Sequence, residues 1–106
     1  MYGKDGKGID RDGRTLLFKA AENGNLIVVK YLVFEWLNVN AKDRFANTPL
    51  HAAAFGGNLE VVKLLVSEGA DAKAKGNNSV TGAIQIPRDV ARRNRNTEIA
   101  NYLNSL

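Results

Sequence analysis

A single histidine, His51, and the lack of any cysteine limit the chemistry open to this chain of 106 residues. Nucleophilic catalysis needs a nucleophile, a base and an orienting group within reach of one another, and one imidazole is a poor start. Without cysteine there is neither a disulfide scaffold nor a thiolate zinc site, and a lone imidazole does not make a metal centre. Asp5, Asp10, Asp12 and Gly13 superficially suggest a calcium loop, but the regular alternate oxygen ligands and the closing glutamate are missing. The run from Gly3 through Lys4, Asp5, Gly6 and Lys7 to Gly8 has the glycines and lysines of a phosphate cradle. With no strand before it and no Ser or Thr after the lysine, it reads as a flexible leader. An enzyme is not expected, nor is a bound metal or cofactor.

Composition narrows the class further. A chain of 106 residues with 44% hydrophobic and 25% charged residues has the makeup of one globular domain. No run of about 18 apolar residues marks a membrane span, and residues 1–10 lack the apolar centre of a secretory signal. A cytoplasmic or nuclear location is therefore expected, and the missing cysteines fit a reducing compartment. The net charge of +4 is unevenly placed: residues 72–95 hold six basic side chains against the single Asp89, a net of +5, so the remainder carries −1. A basic end on a near-neutral body suits an acidic protein partner. Nucleic-acid or other acidic-ligand binding by that end is the competing reading. Residues 72–95 contain no aromatic side chain, so bases would find no stacking platform.

The elements that position these groups emerge from an internal repeat. A shift of 33 residues lays 10–42 onto 43–75 with 17 identities. Matched positions include Asp10 with Asp43, Thr15 with Thr48, Leu17 with Leu50, Gly24 with Gly57, and Val28, Val29, Lys30 with Val61, Val62, Lys63. A diverged third copy follows at a shift of 38, which brings Pro87 onto Pro49, Ala91 onto Ala53, Asn96 onto Asn58 and Leu103 onto Leu65, with five extra residues before Pro87. Each unit reads as two short helices. Thr48 is a good N-cap, Pro49 suits the first turn, Gly56 and Gly57 break the helix, and the apolar spacing of Leu59, Val61, Val62, Leu64 and Leu65 starts a second one. Gly69 supplies a left-handed cap. The predicted helices cover 15–24, 26–36, 48–55, 59–68, 87–93 and 97–104.

Thr48, Pro49, Leu50, His51, Ala52 and Ala53, followed by Gly57, the Val61 to Leu65 run, and Gly69, Ala70, Asp71, resemble the ankyrin repeat, whose period is about 33. The resemblance implies an all-α fold, an ankyrin-repeat solenoid of stacked helix-turn-helix units with hairpin loops to one side. On this sequence it gives a leader over 1–9 and a repeat domain over 10–106. The repeats run over 10–42, 43–75 and 76–106, the last holding a loop insertion and capping the C-terminal end. The resemblance further implies that His51 bonds to neighbouring loop groups, and that protein partners bind the concave face of loops and first helices. Carried onto this chain, that face comprises Arg11, Asp12, Arg14, Glu22, Lys42, Arg44, Phe45, Asn47, Phe55, Lys75 and Arg93. The expected function is a non-catalytic protein-interaction module, with no membrane role.

Departures from the internal pattern add three expectations. Ile27 and Phe34 stand where the other copies carry Glu60 and Ser67, then Glu98 and Ser105, and Trp36 stands at the helix-ending Gly69 position. Either the leader folds over this stripe or the stripe completes a local core, or else Ile27, Phe34 and Trp36 form an apolar contact face that would make the protein a weak homodimer or self-associating unit rather than a monomer. Arg88, Arg92 and Arg95 share one helical stripe suited to a polar end cap, with Asp89 and Arg93 spaced to pair. The insertion within 76–86 reads as a mobile, lengthened finger beside the groove.

Overall fold

Helix starts in this chain are set by side-chain oxygens. Thr15, Asn25, Thr48 and Asn58 each accept the N–H of the residue three positions on, that of Phe18, Val28, His51 or Val61. Each bond satisfies a donor the helix leaves free at its first turn. The computed structural model describes residues 10–35 and 38–106. Six helices lie among the described residues: α1 (Leu16–Glu22), α2 (Leu26–Phe34), α3 (Pro49–Gly56), α4 (Leu59–Ser67), α5 (Pro87–Arg93) and α6 (Thr97–Asn104). All six fall where the repeat pattern predicts them. None is long and apolar enough to cross a membrane.

The three helix pairs stack, with α1 on α3 and α3 on α5 in an inner layer and α2, α4 and α6 in an outer one. Leu17, Val29, Leu50, Val61, Val62, Leu65 and Leu103 are fully buried between the pairs. Small residues permit the close inner-layer approach: Ala20, Ala21, Ala52, Ala53, Ala54 and Ala91 are all buried. At Gly56 the approach is closest, since a Cβ there would lie 2.1 Å from the carbonyl oxygen of Glu22. Asn58 Nδ2 donates to the Gly24 carbonyl at 3.4 Å, and Asn96 Nδ2 to the Ala54 carbonyl at 2.8 Å. One asparagine per junction thus ties each helix pair to the pair before it.

The third unit obeys the shift of 38. Pro87 opens α5 as Pro49 opens α3, and Arg95 takes the left-handed turn position held by Gly24 and Gly57, with φ of 60 against 70 and 80. The insertion is more ordered than a mobile finger. It forms an antiparallel hairpin of β1 (Gly76–Asn77) and β2 (Ile84–Gln85), Gly76 facing Gln85 and Asn77 facing Ile84. Asn78 Oδ1 accepts the N–H groups of Val80 and Thr81 at 2.9 Å and closes the turn. The expected pairing of Asp89 with Arg93 does not form. Asp89 Oδ2 instead accepts the Ile86 N–H at 3.0 Å, the bond that His51 Nδ1 makes to the Thr48 N–H in the second unit, and Arg93 bonds Gln85. Helix α2 ends at Phe34, and Trp36 lies outside the described residues.

Two residues with a Cβ occupy left-handed backbone that glycine fills in a sister repeat: Ala46, with φ of 64 where Gly13 has 76, and Arg95. Such a conformation costs a non-glycine residue about 1 kcal/mol or more, partly offset by the greater freedom of glycine in the unfolded chain. Ala46→Gly and Arg95→Gly should each stabilise the protein by up to about 1 kcal/mol. Urea midpoints at or below that of the parent would contradict this account of the turns.

Candidate functional site

The side chains that could meet a ligand are placed by the connectors between units. Asp10 Oδ1 accepts the N–H groups of Asp12 and Arg14, both at 2.9 Å, and Asp43 Oδ1 accepts those of Phe45 and Asn47 at 2.8 and 2.9 Å. The Arg14 N–H, above all, holds the Asp10 carboxyl below its ordinary pKa. Successive connectors are then linked, Arg44 N–H to the Asp12 carbonyl at 2.7 Å and Asn77 N–H to the Phe45 carbonyl at 2.9 Å. The result is a row of loops standing beside the inner helices.

Between that row and the inner helices runs an open groove of ≈ 400 Å³. Helices α1, α3 and α5 line it with Phe18, Glu22, Ala52, Phe55, Val90, Arg93 and Asn94, and the connectors with Arg14, Asp43, Phe45, Asn47, Asn78, Ser79 and Gln85. Arg14 Nε faces the buried Asp43 Oδ2 at 3.6 Å while its guanidinium lies 5.3 Å from the Phe18 ring centre. Arg44 covers Phe45 in the same way at 5.2 Å. Among the described residues no cation covers Phe55, which is 55% exposed.

A polar chain braces the groove at its third unit. Asn47 Nδ2 donates to the Asn77 carbonyl at 3.0 Å, Gln85 Nε2 donates to Asn47 Oδ1 at 3.1 Å, and Arg93 donates to Gln85 Oε1. Beneath it, His51 Nδ1 accepts the Thr48 N–H at 3.0 Å, which leaves the ring proton on Nε2 to be donated to the Gln85 carbonyl at 3.0 Å. Both ring nitrogens are thereby occupied in the neutral tautomer, and His51 is buried. This is the bonding to loop groups that the repeat motif implied. Among the described residues no three His, Asp or Glu side chains gather where they could hold a metal ion.

Of the residues placed on the concave face from the sequence, Arg14, Glu22, Phe45, Asn47, Phe55 and Arg93 line the groove. Asn47 is there as a brace, with both ends of its amide bonded. Asp12 and Arg44 pair at 3.5 Å beside the groove, and Arg11, Lys42 and Lys75 are exposed without lining it. Phe18, Asp43 and Gln85 were missed, although a signal existed: Phe18 aligns with His51, Asp43 with Asp10, and Gln85 with Asn47 at the shift of 38. On the outer layer Ile27, Tyr31 and Phe34 are 81%, 61% and 77% exposed. The leader expected to fold over them lies outside the described residues.

The family model for ankyrin repeats in three copies matches residues 2–78. The pair α5 and α6 lies beyond the matched span but repeats the left-handed turn of the pairs before it, at Arg95, and the opening proline of α3, at Pro87. Comparison with curated proteins found no match.

Burial, partly opposed by the Gln85 carbonyl, pushes the His51 pKa below its ordinary 6.5. Protonation is thus harder in the folded state than in the unfolded one. The stabilisation is complete above about pH 6.5 and is lost as pH falls from there toward the folded value, at up to about 1.4 kcal/mol per pH unit. His51 is the only histidine. Denaturant titrations should show stability falling from pH 7.5 to 5.5 in the parent, with His51→Gln less stable but flat over that window. An equal slope in both proteins would mean that His51 is not the group responsible.

Proposed function

The chain belongs to the ankyrin-repeat family, whose domains are in general non-catalytic protein-interaction modules, and on that premise we propose that it binds a protein partner in the groove between α1, α3, α5 and the hairpin connectors. The observation that carries this reading is Phe55, a large aromatic side chain left half in water at the middle of a concave surface. Phe18 and Phe45 stand beside it, so a partner's side chain inserted there would lose water on several sides at once, the setting in which aromatic anchors supply most of the binding energy. The groove is open along its length, which suits a protein segment better than an enclosed small molecule. Exposed Lys73, Lys75 and Arg92 outside it would speed the approach of an acidic partner.

Affinity capture from native lysate would supply the partner. With it in hand, Phe55→Ala and Phe45→Ala should each weaken affinity about tenfold or more with melting little changed. Parent-like affinity in both variants would place the binding surface elsewhere.

The exposure of Ile27, Tyr31 and Phe34 favours a second reading, self-association through the outer layer. Lys30 and Glu68, beside Phe34, give that face charges of both signs, which a two-fold contact can pair across its axis. Sedimentation should show a concentration-dependent increase in mass that the double change Ile27→Glu and Phe34→Ser abolishes. A single monomeric species at millimolar concentration would remove this reading.

A further inference from the structure

Four charged side chains line the groove, and they are of two kinds. Arg14 and Asp43 neutralise each other at 3.6 Å. Glu22 and Arg93 take part in none of the ion pairs among the described residues, and the bond of Arg93 to the Gln85 amide leaves its charge uncompensated. These two are also related to each other. Glu22, Phe55 and Arg93 occupy one equivalent position in three successive units, separated by 33 and then 38 residues. Each lies at or next to the end of its helix, α1, α3 or α5. The stacking order therefore sets them in a row, negative, aromatic, positive. Gly56 packed on the Glu22 carbonyl fixes the first step of the row, and Asn96 bonded to the Ala54 carbonyl fixes the second.

We propose that this row reads an extended segment of the partner in the polyproline II conformation, with a basic, an apolar and an acidic side chain at every third position facing Glu22, Phe55 and Arg93. The inference rests on the groove reading above and names the chemistry of what binds there. Packed helices stand about 8–10 Å apart. Polyproline II places every third side chain on one face at intervals of about 9.3 Å, which matches that step. A β-strand offers same-face side chains at about 6.7 or 13 Å, which does not. A helix returns a side chain to the same face after seven residues, about 10.5 Å, which overshoots that step.

The test uses synthetic peptides with three reading residues at every third position of a proline and serine background, titrated against the full chain. Because a polyproline II segment can lie in either polarity, the orders Lys, Leu, Glu and Glu, Leu, Lys both match the row. The like-charged sets Lys, Leu, Lys and Glu, Leu, Glu do not. The matching peptides should bind about fivefold more tightly than the like-charged ones. Glu22→Arg should turn the preference toward the doubly acidic peptide and Arg93→Glu toward the doubly basic one, with thermal melts confirming that both variants fold. A preference unmoved by either reversal, equal binding of peptides spaced at every second position, or no binding of any peptide at millimolar concentration would overturn the row. If Phe55→Ala still weakens capture of the natural partner in any of those cases, the groove reading stands and only the row fails. If Phe55→Ala changes neither peptide binding nor partner capture, the groove reading fails with it.

Discussion

No helix pair in this chain can bury its own apolar surface. Each has one apolar flank and nothing of its own to lay against it, so the unit that folds is the stack. That requirement explains the alanines of the inner layer, which are too small to hold helices apart, and the absence of a side chain at Gly56, where the backbone of one unit rests on the next. It also explains why the surface carries a groove. Helices drawn together on one side leave their connectors standing on the other, and the angle between helices and connectors is the concavity.

The connectors then need rigidity of their own, because each is short of backbone partners. In the first two units a buried or half-buried aspartate at the start of the loop takes up two N–H groups and shapes the turn. In the third unit Gly76 stands where that aspartate would be, and a two-stranded hairpin closed by Asn78 replaces it. Gly76 leaves room for the Asn47 amide of the brace, since a Cβ there would lie 2.0 Å from Asn47 Oδ1 and displace it. His51 joins the two designs, bracing its own helix start with one nitrogen and the hairpin with the other.

Most of this architecture is legible in the residues, for a physical reason. Burial on both sides of a middle unit leaves little freedom of residue type, so Leu17, Leu50, Val29, Val62 and the turn glycines declare the period and with it the helices. The rest is written in contacts that cross the period. Nothing in the spacing of Asp89 and Arg93 says that Asp89 accepts the Ile86 N–H, or that Gln85 takes Arg93 away. The hairpin was hidden because a run of Gly, Asn, Ser and Thr is equally compatible with a loop of no fixed shape. Arg95 in a left-handed turn contradicts its own local preference and is visible only through alignment with Gly57.

The manner in which the last unit is attached has a consequence for how the groove exists at all. Helices α5 and α6 start without a side-chain cap from their own N-cap residues, and the turn between them carries the backbone cost of Arg95. Both features lower the free energy of opening of this unit relative to one with capped helices and a glycine turn. Arg93, and the Gln85 amide that steadies it, are present as a wall only while that unit is docked. A bound chain touching all three units would act as an additional neighbour to the third, so occupancy and completion of the solenoid are thermodynamically linked. With the groove as the proposed binding surface, recognition and docking of the third unit form one coupled equilibrium.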